Sequence, residues 1–342
     1  MSHAEPDLAQ DYKLPDMSDL FVFGGTSGTV LVMTGSPLFT PGGFLPGAQY
    51  CWHIDTDGDN HPDVTFRVSF GPWHDGAQPV TLSRADRPGA CDRDADGMVL
   101  AAGITGRPTE TPAGIRLWAG EAANPNWLNG GVLDSAAKCI REGVDAGLLA
   151  AHPVLPMNLL ARTNVQAIAA EIPGGLPAAG RDSVWATTAS PGPDGWRQHT
   201  RCALPLLSTL FSIDDEAAGL NHNGTGPHQD LALYGHIIRA GAARAAMALG
   251  TARDPLAHGA QVAETLLPDV LPYRPGTPAS FRSWPVNGRG LTDPAAEAMI
   301  SRVLGAAITF GLDATSVTGS LRGTFPYLAS PAPWPEQDPL QF

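Results

Sequence analysis

Apolar and polar positions alternate most regularly on the two sides of one acidic loop. Val64-Thr65-Phe66-Arg67-Val68-Ser69-Phe70 keeps a period of two, which reads as a half-buried strand. Residues 48–54, ending in Cys51-Trp52-His53-Ile54, read as a second strand. Asp55-Thr56-Asp57-Gly58-Asp59-Asn60-His61-Pro62-Asp63 is then the tip of a hairpin. Similar runs at 19–23 and 29–34 flank a Gly-Gly-Thr-Ser-Gly turn. Weaker strand signals follow at 79–82 and 98–100, another strand at 114–118, and short helices are expected over 133–140 and 145–150.

A second β block covers 164–173, 183–189 and 195–201, the last two joined by the turn Pro191-Gly192-Pro193-Asp194-Gly195. Beyond Leu204 the period becomes helical. A helix is predicted over 230–249, stopped by Gly250. Asp254-Pro255 opens another to about Leu267, and Asp293-Pro294 opens a third to about Phe310. Strands early and helices late predict an α+β fold, an antiparallel β-sandwich-like body with helices added in the C-terminal half. Residues 1–19 read as an N-terminal arm packed on the body, 20–205 as the β-rich body and 206–322 as a helical part on the same core. Residues 323–342 read as an extended tail, with Thr324-Phe325-Pro326-Tyr327-Leu328 docked.

Composition narrows the class. The 342 residues are 43% hydrophobic and 16% charged, a folded and rather apolar globule; 39 Gly and 32 Pro suit short strands and tight turns. The net charge of −13 argues against nucleic acid or an anionic membrane surface as a partner, since both require clustered Lys and Arg. No basic start precedes an apolar run and no stretch of membrane-spanning length exists, so a cytoplasmic protein is expected. Cys51, Cys91, Cys139 and Cys202 form no Cys-x-x-Cys pair and are expected as free thiols, with one inter-strand disulfide left open. A homo-oligomer also stays open.

The acidic tip changes this picture. Asp55, Asp57, Asp59 and Asp63 crowd around one glycine and repel each other unless a cation or water balances them. Hard oxygen donors around a sharp Gly bend suit Ca2+, the expected metal, with a solvated turn as the alternative. The run Asp92-Arg93-Asp94-Ala95-Asp96-Gly97 has an Arg inside it and no closing acid, so a plain turn is expected there.

Several segments together resemble the bacterial domain of unknown function 4331 family. Ser2-His3-Ala4-Glu5-Pro6 is similar to its opening motif, Asp16-Met17-Ser18-Asp19-Leu20-Phe21-Val22-Phe23 to its first strand, and His53-Ile54-Asp55-Thr56-Asp57-Gly58-Asp59 to its hairpin. Asn287-Gly288-Arg289-Gly290-Leu291-Thr292-Asp293 and Thr324-Phe325-Pro326-Tyr327-Leu328 resemble its late motifs. The opening motif lacks its Arg, and two further segments appear altered, as Ala123-Asn124-Pro125-Asn126 and as Arg201-Cys202-Ala203-Leu204-Pro205. The resemblance implies a fold and a metal; it implies no reaction.

For chemistry, Asn221-His222-Asn223-Gly224-Thr225-Gly226-Pro227-His228-Gln229-Asp230 gathers His, Asn and Asp before a helix. His222 or His228 is the expected general base, held by Asp230 or Asp214. Arg289 is expected to pair with the acidic arm or cap a buried loop, with a bidentate clamp on a substrate carboxylate as the catalytic alternative. His3, Glu5 or Asp7 of the arm can reach a site, and Trp73, His74 and Asp75 can line a mouth. No Gly-x-Ser-x-Gly, P-loop or Gly-x-Gly-x-x-Gly occurs, so no organic cofactor is expected. Three readings follow. The first is a small-molecule enzyme, of specialised metabolism, with acid–base chemistry in a pocket between β body and helices. The second is a non-catalytic, calcium-stabilised binding or scaffold protein. The third is a lyase, isomerase or cyclase using the hairpin cation as a Lewis acid.

Overall fold

The structure, a computed structural model, describes residues 15–35, 42–149, 156–176, 180 and 182–333. His3, Glu5 and Asp7, the opening motif and the last part of the tail lie outside the described residues. Two antiparallel sheets form the body. The first runs, in spatial order, β1 (Met17–Gly24), β2 (Gly28–Gly35), β9 (Asn164–Pro173), β8 (Arg116–Ala123) and β7 (Thr109–Glu110). The second runs β11 (Gly195–Cys202), β10 (Asp182–Gly192), β3 (Gln49–Asp55), β4 (Val64–Phe70), β5 (Pro79–Asp86) and β6 (Met98–Ile104). A three-residue strand, β12 (Leu271–Tyr273), also pairs with β10. It shares one edge of β10 with β11: β12 takes Asp182 to Val184, and β11 takes the positions from Ala186 onward.

Alternation explains the layers. Leu20, Val22, Leu31 and Met33 from the first sheet meet Tyr50, Trp52, Ile54 and Phe66 from the second in one buried core. The intervening residues Phe21, Val30 and Val32 face the other way, yet they too are buried, under Leu291, Tyr327 and Leu328. The five-stranded sheet is therefore covered on both faces, which is why β2 and β9 read as nearly unbroken apolar runs rather than alternating ones. The predicted α+β, sandwich-like fold is the one observed.

Helices α1 (Gly130–Glu142), α2 (Leu207–Phe211), α3 (Asp230–Leu249), α4 (Pro255–Leu266) and α5 (Ala295–Leu304) lie mostly in the C-terminal half. Asn129 caps α1 by accepting from Gly131 and Val132, and Asp254 caps α4 by accepting from Ala257. Helices α3 and α4 cross closely at Gly259, where a Cβ would stand 2.3 Å from the Arg239 carbonyl oxygen. Among the described residues no helix is long and apolar enough to cross a membrane.

Three sequence expectations need correction. Residues 145–149 are turn and bend rather than helix: Gly143 at φ 72° ends α1, and Asp145 turns its carboxylate onto the Gly147 N–H. The helix expected over 293–310 is α5 alone, stopped at Gly305 (φ 69°). Asp293 does not cap it, because its carboxylate accepts from the N–H groups of Phe281 and Gly290 instead. Thr324-Phe325-Pro326-Tyr327-Leu328 is docked, with Leu328 buried, but it is a turn with Tyr327 at φ 69° rather than extended chain. The Tyr327 hydroxyl donates to buried Glu171 (3.1 Å), which also accepts from the Ser27 N–H (2.6 Å) and from Arg116 (3.1 Å). Burial alone would raise that carboxyl, but Ser27, Tyr327 and Arg116 pull it below its usual range.

Candidate functional site

Strand β11 ends at Cys202, and the chain turns there into the helical layer. A cavity of about 370 Å³ opens where that edge meets β1 and the helices. Met17, Trp127, Leu128, Leu160 and Leu206 give it apolar walls, and Asp19, Cys202, His222, Asp269 and Arg289 give it polar ones.

A chain of buried contacts builds the polar side. Arg201 and Asp230, both fully buried, form a two-pronged ion pair with N···O distances of 2.5 and 3.0 Å. Arg201 Nε also donates to the His222 carbonyl at 3.3 Å. Asp230 Oδ2 accepts from the Asp269 N–H at 2.8 Å. Asp269 Oδ1 accepts from the Leu204 N–H at 2.8 Å, which leaves Oδ2 3.2 Å from His222 Nε2. His222 is 2% exposed, and neither of its ring nitrogens makes an aligned hydrogen bond. Loose His–carboxylate alignment of this kind is common in catalytic pairs before substrate binds.

Arg289 faces the same cavity. Its Nη1 donates to Asp19 (2.8 Å) and its Nη2 to Asn126 (2.7 Å), and the guanidinium lies 4.2 Å over the Phe21 ring. Its buried Nε has no partner. Paired backbone bonds to Val22 fix the residue to β1. Burial, and then the nearby Asp19 and Asp269 charges, push the Cys202 thiol well above its ordinary range, with Arg289 opposing. Cys202 is therefore no thiolate nucleophile here.

The fold brings His222 and Arg289 to one cavity and sets Asp230 behind it as a support. It separates His228 from them: that ring stacks on His61, with centroids 4.2 Å apart, at another cleft. Neither Asp230 nor Asp214 orients the histidine. Asp214 instead accepts from the backbone and side-chain amides of Asn223, and Asp269 takes the orienting place. Asp269 carried no sequence signal, because only the long-range bond to Asp230 puts it there. His74 and Asp75 pair with each other in full exposure, away from the cavity.

The hairpin tip is a folded structure. Asp55 is buried and accepts from the N–H groups of Asp57, Gly58 and Asn60. Asp63 accepts from the Thr56 N–H and hydroxyl. Arg87 bridges Asp57, Asp59 and Asp63 at 3.4, 3.0 and 2.7 Å. The His61 N–H, followed by Arg87, holds the Asp59 carboxyl below its usual range. One oxygen each of Asp55, Asp57 and Asp63 lies within 4.8 Å of the others, and Asp59 stands outside that group. That spacing is compatible with one shared metal ion and does not identify it. None of the four hairpin carboxylates lines the His222 cavity.

Sequence reading also missed Asp182. It is fully buried at the start of β10, and neither of its oxygens has a partner. Burial, then the charges of Asp55 and Asp63, push its carboxyl up to about 6. Ser183 pairs with Asp55 across the sheet, so alternation sends Asp182 to the opposite face and keeps it out of the hairpin group. All four cysteines are free. No family model, curated protein or solved structure matches the chain.

The raised Asp182 carboxyl has a definite pH signature. Its protonation favours the fold below the ordinary value of 3.8, and that contribution is lost as pH rises through about 6. Above that, a buried unpaired charge opposes folding. Asp182→Asn is expected to raise stability at neutral pH by up to roughly 3 kcal/mol and to change little near pH 4. Thermal melts of both proteins across that range check it.

Proposed function

We propose that the chain is a small-molecule enzyme whose acid–base chemistry takes place in the cavity between the β body and the helices. One observation carries this reading: a buried His222–Asp269 pair and a buried, unpartnered Arg289 Nε border the same mixed cavity. His222 takes a proton from the bound substrate, and Asp269 stabilises the imidazolium that results. Arg289, fixed by Asp19 and Asn126, stabilises negative charge developing on a substrate oxygen. The apolar walls hold an apolar or mixed body. No step requires an organic cofactor.

The test follows the proton rather than a named product. A panel of medium-chain carbonyl compounds is incubated with the protein in D2O, and loss of the C–H signal beside the carbonyl is followed by proton NMR. At least one compound is expected to exchange, and His222→Gln is expected to slow that exchange about 100-fold or more. A control at exposed His236 is expected to leave it unchanged. Equal exchange in wild type and His222→Gln contradicts the assignment.

A second reading concerns the hairpin, favoured by the converging oxygens of Asp55, Asp57 and Asp63. Ca2+ held there would tie the β3–β4 turn into one unit and contribute stability rather than chemistry, since none of its carboxylates lines the His222 cavity. At calcium 100-fold above its dissociation constant the fold would gain about 2.7 kcal/mol. Melting temperature is expected to rise with calcium over chelator in wild type and to stay level in Asp55→Asn. A wild type indifferent to millimolar calcium excludes this role.

A further inference from the structure

A second cleft, of about 250 Å³, lies on the outer face of the seven-stranded sheet. Outward positions of three neighbouring strands make its floor: Cys51 and His53 on β3, Arg67 on β4, Trp185 and Thr187 on β10. The hairpin tip at His61 and the loop at His228 form its rim, their imidazoles stacked at 4.2 Å.

Its charge runs against the rest of the molecule. The chain carries 34 acidic against 21 basic residues, yet among the described residues no Asp or Glu lines this cleft. Two arginines and three histidines do. Arg93 reaches in from the second acidic run, where a plain turn was expected. Its Nη2 donates to Gln198 (3.0 Å) and Thr187 (3.3 Å), and its Nη1 lies 3.9 Å from the Cys51 sulfur. The neighbouring acids are occupied elsewhere, with Asp94 accepting from the Trp196 indole and Asp92 from the Asp94 N–H. Arg67 is 6% exposed; its terminal nitrogens donate to the backbone carbonyls of Gly89, Asp92 and Ala95, and its Nε has no partner. Neither guanidinium has a carboxylate at ion-pair distance among the described residues.

Holding the desolvated Arg67 guanidinium, with half-buried Arg93 beside it, without a counter-charge is costly, and an acidic chain has many carboxylates with which to avoid it. His53 is buried in the floor, its two ring nitrogens 2.9 Å from the Thr65 hydroxyl and 2.8 Å from the Thr187 hydroxyl. His53 also stacks on Trp185 at 5.3 Å, so the floor offers a flat ring beside the arginines.

We infer that this cleft binds a small oxyanion-bearing ligand, a carboxylate or a phosphate, on Arg93 and Arg67 beside the His53–Trp185 stack. The Arg93 guanidinium, with the unpartnered Nε of Arg67 behind it, supplies the donors that such oxyanions match. The volume suits a ligand of few heavy atoms. The cleft shares no lining residue with the His222 cavity.

The test uses the full chain, with inorganic phosphate and propionate titrated separately at constant ionic strength. Calorimetry and the Trp185 indole N–H signal, assigned through Trp185→Phe, are the readouts. At least one anion is expected to saturate and to move the Trp185 signal. Arg93→Gln is expected to weaken that binding about 10-fold or more, whereas Arg282→Gln, exposed and outside the cleft, leaves it unchanged. Phosphate alone saturating identifies a phosphoryl group, propionate alone a carboxylate, and both a general oxyanion site. A Trp185 signal in wild type that neither anion moves overturns the proposal, whatever the fold of the Arg93 variant. So does wild-type affinity in a folded Arg93→Gln.

Discussion

The buried Arg201–Asp230 pair is the contact on which the rest of the site depends. It fastens the last strand of the seven-stranded sheet to the start of α3. Two fully desolvated charges have no tolerable alternative to each other, and removing one partner of such a pair typically costs about 3–5 kcal/mol. Asp230 gains further from its place in the first turn of α3, where the helix dipole favours an anion. Through the remaining donors and acceptors of the pair, the His222 carbonyl and the Asp269 N–H are fixed as well. The geometry of the proposed base is thus set by the ion pair packed behind it.

A second node organises the opposite wall. Asp19 and Arg289 come from segments that carry the sequence resemblance and Asn126 from one that departs from it, and the three meet in one hydrogen-bonded cluster over Phe21. What looks like scattered short motifs along the chain is one physical contact between β1, the approach to α1 and the loop before α5. The two concave sites also differ in sign. The His222 cavity is edged by Asp16, Asp19, Asp269 and Asp293, and the outer cleft by arginine and histidine. An acidic chain gains little from concentrating its few free cations in one place unless something negative visits it.

Local patterns made the hairpin, the paired β blocks and α3 and α4 legible, because period, cap and turn agree there. Gly250 and Asp254-Pro255 mark their boundaries as their chemistry requires. Asp293-Pro294 has the same signature but a different outcome, because two distant N–H groups claim the Asp293 carboxylate. Strands β7 and β12 are too short, at two and three residues, to show any period. His222 and Arg289 stood out as polar residues in loops. Asp269 and Arg201 did not, since their roles exist only once strand and helix have met. Arg87 and Arg93 were hidden for another reason: nothing local says that one arginine balances the acidic tip while the other turns away from its own acidic run into the sheet.

The orientation of His222 tests the central claim most directly. Nitrogen-15 NMR of its imidazole reports which ring nitrogen carries the proton. An Asp269-oriented base is predicted to hold it on Nε2, facing the Asp269 carboxylate at 3.2 Å, with Nδ1 bearing the lone pair. A proton fixed on Nδ1, with Nε2 bare beside Asp269, would contradict the account.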